Sequence, residues 1–386
     1  MQVERNTDLF PYMAFWWQGG SVLPERELIA WLNGQRVLPL VIWYASQRAW
    51  KLSDGLMRAA QHAQYREQAQ QMMAEQQLQV LGKLALSLNV PLVLVKGAAV
   101  AQMYPKAWMR SYTDIDLLVS EADLSRLVPA VVDLGYTWLE SQSGERGVHL
   151  PPLLSKNTGV KLEIHTTLAR ISGRDLFTVE QWESGLQDFI SFPGLRVPDS
   201  IAHALYLIHH AVIHHEFTLG LLPWVDLSFW TRTWGIQEWQ QLSDRALAVG
   251  LQRAVCIAVA LTRWVEDVSW AYDPLPFFPI PPSEILTMAQ HIMMGEVTQK
   301  MPHLWRDMPE RNLRGFLKYV SLVLMGDPKT RQSLPLRDRL WFYVCRPFHL
   351  LRNHGPALWR LLRGERTARK TWRFQQQLQS WLREAG

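Results

Sequence analysis

Cysteine is almost absent from this chain of 386 residues: only Cys256 and Cys345 are present. A disulfide framework is therefore not expected, and a cysteine-based zinc site lacks enough ligands. Both thiols read as small buried apolar groups. Long apolar runs are missing as well. The first ten residues contain Glu4, Arg5 and Asp8 where a secretory leader needs uninterrupted apolar side chains. The apolar stretch Ala254 to Leu261 is followed shortly by Arg263, well short of the roughly eighteen residues a membrane span needs. A reducing, cytoplasmic setting is the expectation. Low-complexity tracts and internal repeats are also lacking.

What is present suits a globular protein. Apolar residues make up 48% of the chain and charged residues 19%, and 19 Trp and 22 Pro point to bulky packing joined by rigid turns. The net charge of +5 is unevenly spread. Residues 301–386 hold 17 Lys and Arg against 6 Asp and Glu, a local +11, so the first 300 residues carry −6.

Four regions follow along the chain. Residues 1–88 read as a helical region, with apolar positions recurring through Met72, Met73, Leu78, Leu81 and Leu84. Residues 89–198 read as a small α/β unit. Its strands are Pro91-Leu-Val-Leu-Val95, Asp114-Ile-Asp-Leu-Leu-Val119 and Lys161-Leu-Glu-Ile-His165, with helices over Ala98 to Tyr104 and Glu121 to Leu134. Residues 199–272 are expected to be helical and packed on that unit, with Asp199 or Ser200 as N-cap of a helix from Ile201 to about Phe217. The proline-rich stretch 273–282 is a corner or linker, and 283–386 forms a basic, aromatic-rich helical region.

Asp114-Ile-Asp116 carries the sharpest chemistry. Side chains two apart on a strand face the same way, so these carboxylates converge. Two adjacent like charges in an apolar strand call for a compensating cation, and a hard divalent ion is the natural one. The alternative is a strand end whose aspartates face solvent. Other residues stand at suggestive places. Lys96-Gly97 lies where a strand turns into a helix, so backbone N–H groups, a flexible glycine and a lysine charge could receive phosphates. Arg110 could bind a further phosphate oxygen or pair with an aspartate. Glu163 is a third acid with apolar neighbours, and His165 shares its strand.

Leu94-Val-Lys-Gly97, Tyr104-Pro105, Arg110, Asp114 to Val119, Leu134-Gly-Tyr136 and Leu162-Glu-Ile-His165 together resemble the nucleotidyltransferase superfamily, in particular its bacterial family of poorly characterised members. The resemblance runs over about Pro91 to His165 and more weakly to about Val249, through His209, His210, His214 and Asp226. It implies an α/β (α+β) polymerase-β-like core with a small mixed sheet, set between largely helical regions. It also implies Mg²⁺ or Mn²⁺ on Asp114, Asp116 and Glu163, and an NTP, ATP by expectation, as donor of a nucleoside monophosphate to an unidentified acceptor. The superfamily usually carries Gly-Ser after its first strand, whereas here Lys96-Gly97 is followed by Ala98.

Two further features stay open. His209, His210, His214 and His215 cluster in the sequence, and of these His210 and His214 share a helix face and could bind zinc, touch substrate, or pack against the catalytic unit. The C-terminal arginines with Trp341, Phe342, Tyr343, Phe348, Trp359, Trp372, Phe374 and Trp381 suit single-stranded nucleic acid, an acidic membrane surface, or a packed helix with a solvated basic face. Two rival functions remain: a phosphotransferase acting on the γ-phosphate, and a non-catalytic binding protein on the same scaffold.

Overall fold

A computed structural model describes residues 24–48, 51–139, 150–171, 174–265, 270–295, 363 and 366–383. These fall into two compact units divided between Pro281 and Pro282. In the first, helices α1 (Glu25–Gly34) and α2 (Val41–Arg48) precede the long helix α3 (Asp54–Leu88). Ser53 caps α3 by accepting the Leu56 N–H, and Asn89 ends it in the left-handed conformation. Alanines and leucines at helical spacing bury one stripe: Ala74, Leu78, Leu81 and Ala85.

That stripe covers one face of a seven-stranded mixed sheet. Its strands are β1 (Leu92–Val95), β2 (Asp114–Leu118), β3 (Tyr136–Trp138), β4 (Leu153–Ser155), β5 (Lys161–His165), β8 (Gln187–Asp188) and β9 (Leu195–Val197), in the order β3-β4-β5-β2-β1-β9-β8. A separate hairpin pairs β6 (Ala169–Ile171) with β7 (Arg174–Leu176). The central strand β2 runs antiparallel to β1 and parallel to β5. Leu92, Leu94, Ile115, Leu117, Leu162 and Ile164 join the α3 stripe and Leu127 and Val131 in one core. The alternation that buries them turns Asp114, Asp116, Lys161, Glu163 and His165 to the opposite face.

The expected strands at 91–95, 114–119 and 161–165 are present, and the helices differ in detail. Helix α4 (Lys96–Val100) continues as a 3₁₀ turn, Ala101–Met103, and stops before Pro105. The segment expected to be helical from Glu121 begins as a 3₁₀ turn and becomes α5 (Leu124–Asp133), followed by Gly135 at φ 92°. After the short α6 (Val179–Trp182), Asp199 caps α7 (Ser200–Ile208) by accepting the Ile201 and Ala202 N–H groups. The helix expected to reach Phe217 changes at Ile208 into a π-helix, His209–His214, and closes over Glu216 and Phe217 at φ 47° and 66°. Helices α8 (Leu222–Thr231), α9 (Ile236–Ala248) and α10 (Gln252–Val265) complete this unit.

In the second unit α11 (Ser283–Met293) packs against α12 (Arg366–Arg383), where Leu378 is buried. Trp341, Phe342, Tyr343, Phe348 and Trp359 of the expected basic surface, and Cys345, lie outside the described residues, as does the Trp372 side chain. No helix among the described residues is long and apolar enough to cross a membrane.

Candidate active site

Asp116 is directly opposite Val95 on β1 and Glu163 on β5, at the middle of the sheet. Its side chain is only 5% exposed, yet it is not left uncompensated. Lys96 Nζ donates to its Oδ1 at 2.7 Å, and His165 Nε2 lies 2.9 Å from the same oxygen. Burial alone would raise this carboxyl, but the Lys96 charge and the His165 contact outweigh it and hold Asp116 well below the ordinary carboxylate range. Lys96 answers in kind: burial pulls its ammonium down, and Asp116 more than reverses that, leaving it above the usual lysine value. His165 is lowered by burial and by the Lys96 charge, which favours the neutral imidazole despite its carboxylate neighbours.

A second lysine bridges the other two acids. Lys161 Nζ is 3.1 Å from Asp114 Oδ2 and 2.7 Å from Glu163 Oε1. Burial opposes its charge, but the Glu163 hydrogen bond and the attraction of Asp114 outweigh burial and raise its pKa. Asp114 is pushed up by burial and by repulsion from Asp116. The compensating cation that the Asp-x-Asp spacing calls for is thus supplied in part by Lys96 and Lys161. With His165 neutral, the three carboxylates face two ammonium groups and, at the cleft wall, the Arg36 guanidinium, which is coupled to Asp114.

The donor set fits a hard divalent ion. Asp116, Glu163 and His165 each present a ligand atom, all within 4.8 Å of one another, and Asp114 stands beside them on the same face. His165, on sequence an accessory to the acids, is therefore part of the cluster itself.

The residues expected to hold phosphate are differently engaged. The Lys96 N–H at the start of α4 is taken by His203 Nε2 at 3.2 Å. His203, wholly buried and pushed down to about 3 by burial, is neutral and keeps that nitrogen as an acceptor. Lys96 itself sits at φ 54°, a left-handed conformation that costs a non-glycine residue about 1–2 kcal/mol. A Cβ on Gly97 would lie 2.7 Å from Tyr112 Cβ and 2.8 Å from Arg110 Nη1, so packing alone demands glycine there. Arg110 grips Asp226 on α8, with Nη2 to Oδ2 at 2.8 Å and Nε to Oδ1 at 3.1 Å, while Nη1 donates to the Ser111 carbonyl. Tyr104 OH adds a further bond to Asp226 at 2.6 Å.

Lys96, Gly97, Arg110, Asp226, the three acids and His165 open on one cleft of about 370 Å³, within the range of small-molecule sites. Arg36 lines it as well, and so do His210, His214 and His215. The three rings are clustered: centroids lie 5.4 Å apart for His210 and His214, 4.4 Å for His210 and His215, and 4.6 Å for His214 and His215. His210 is held well below the ordinary imidazole value by burial and by the positive charge of Lys96.

Sequence reasoning missed Lys161, His203 and Arg36. Lys161 was within reach, because it stands two residues before Glu163 and so shares its strand face. His203 lies in an apolar helix and carries no local signal.

A mixed sheet whose central strand presents two aspartates beside a third acid on the next parallel strand, among helices, is a nucleotidyltransferase core. The model of a family described as uncharacterised nucleotidyltransferases matches residues 23–266, and the chain belongs to that family. A comparison with curated proteins gives no match.

Proposed function

We propose that this chain moves a nucleoside monophosphate from a nucleoside triphosphate, with ATP the expected donor, to an acceptor outside the chain: a small molecule, a peptide or a protein side chain. The observation that carries the reading is the placement of Asp114 and Asp116 on β2 abreast of Glu163 on β5, all toward one cleft.

Oxygen-rich ligands of this kind suit Mg²⁺ or Mn²⁺, and Asp114, Asp116 and Glu163 would hold it, with His165 at their side. Such an ion supplies Lewis acidity and neutralises triphosphate charge. The chain's own groups prepare the rest. Lys96 keeps Asp116 ionised inside the sheet. Glu163, if it does not ligate the ion, would instead accept the proton of an attacking hydroxyl. Lys161 and Lys96 bring positive charge to the cleft, and Arg36, which donates to the Ser111 carbonyl at 2.8 Å, stands at its wall.

The test is label transfer with the full chain, Mg²⁺ and a cell extract as source of acceptor. Label from α-labelled ATP should appear on an acceptor with release of pyrophosphate. Label arriving from the γ-position, with release of ADP, would make the chain a phosphotransferase. Transfer of neither label by a folded, nucleotide-binding chain would leave a binding protein.

A further inference from the structure

The histidine cluster that lines the cleft takes no part in the reading above. His210, His214 and His215 follow one another at positions i, i+4 and i+5. In an α-helix the third ring would swing away from the first two. Here the segment is a π-helix with a wider turn, closed by the His215 N–H to the His210 carbonyl at 2.9 Å, so positions i+4 and i+5 flank position i on one face. Two consecutive non-glycine residues in left-handed conformation, Glu216 and Phe217, hold that register. Strain of this kind persists where the surroundings impose it, and it clusters at ligand sites.

We propose that His210, His214 and His215 form a second metal site, separate from the carboxylates, for a divalent transition-metal ion of the zinc class. One nitrogen from each ring lies within 4.8 Å of the others. A tetrahedral ion bound at about 2.0–2.1 Å separates its ligands by about 3.3 Å, a closure that rotation of imidazole rings about their broad χ2 supplies. Three imidazoles without a carboxylate favour Zn²⁺, Co²⁺, Ni²⁺ or Cu²⁺ over Mg²⁺. Three protein ligands also leave a fourth position to water or to a ligand oxygen, the arrangement of reactive rather than purely structural zinc sites. Since the cluster lines the same cleft as Asp116 and Glu163, that position belongs to a molecule bound there.

The test uses Co²⁺ as a visible probe on the full chain, with saturating Mg²⁺ to occupy the carboxylates. One Co²⁺ per chain should bind with the strong absorption bands of four-coordinate nitrogen-rich cobalt, and Zn²⁺ should displace it. His214→Gln, at an exposed position and so harmless to folding, should weaken binding by at least about tenfold. Asp114→Asn should leave the bands in place. Absence of these bands in the wild-type chain, their survival in a folded His214→Gln/His215→Gln variant, or their loss in Asp114→Asn would overturn the proposal. None of these readouts depends on nucleotidyl transfer.

Discussion

Asp116 on β2 and Glu163 on β5 are direct partners across a parallel ladder, one residue from each strand at the same level of the sheet. Parallel pairing with a period of two ties the acids to the core. A slip of one residue would send Glu163 among Leu78, Leu81 and Ile115 and bring Leu162 or Ile164 to the cleft. The burial of Leu162 and Ile164 thereby sets the position of the acid between them.

The two aspartates should separate function from stability. Asp114→Asn removes a carboxylate already pushed up by its neighbour, so the metal-free chain should be as stable as the wild type or slightly more so. Asp116→Asn leaves the buried Lys96 ammonium without its partner and should cost about 3 kcal/mol or more. Both should lower Mg²⁺-dependent transfer by orders of magnitude. Denaturant midpoints with chelator, set beside initial rates, check the split; equal stability losses would refute it.

Gly97→Ala should destabilise the chain by about 1–3 kcal/mol even with no nucleotide present, because Arg110 is anchored on Asp226 and cannot swing away from the new methyl group. Thermal melting of the ligand-free chain reads this directly. An unchanged melting point would return Gly97 to a purely ligand-facing role.

Asp226→Asn should cost about 3 kcal/mol or more, since it strips the counter-charge from a buried guanidinium. The double variant Arg110→Met/Asp226→Asn should recover part of that loss, with a coupling of about 1 kcal/mol or more. A double-mutant cycle in urea decides the matter, and strict additivity would mean that the pair does not hold α8 to the core.

Acid should weaken the chain through His203. Its folded pKa of about 3 lies below the ordinary 6.5, so the unfolded chain binds the proton more readily. The stability tied to the neutral ring is complete above pH 6.5 and is lost as pH falls from there toward 3. His203→Gln keeps an acceptor for the Lys96 N–H and removes the titration, so the slope of unfolding free energy against pH should flatten in that window. An identical slope in the variant would assign the acid lability elsewhere.

What the sequence by itself determined is local. Alternation in Asp114-Ile-Asp-Leu-Leu and Lys161-Leu-Glu-Ile-His puts the acids on one face and the aliphatic side chains on the other, whatever the partners. Asp199 as a cap and Pro105 as a stop are likewise properties of adjacent residues. The short strands β3, β4, β8 and β9, of two or three residues each, escape such reasoning because no period is established over that length. Tertiary structure decided the electrostatics. Arg110 stands four residues from Asp114, yet its guanidinium is committed to Asp226, 116 positions away. His203 meets the Lys96 N–H across 107 positions, and the π-helix, not the spacing, gathers His215 with His210 and His214. Periodicity encodes which way a side chain points, but the partner it finds there depends on which helices the buried faces bring across the sheet.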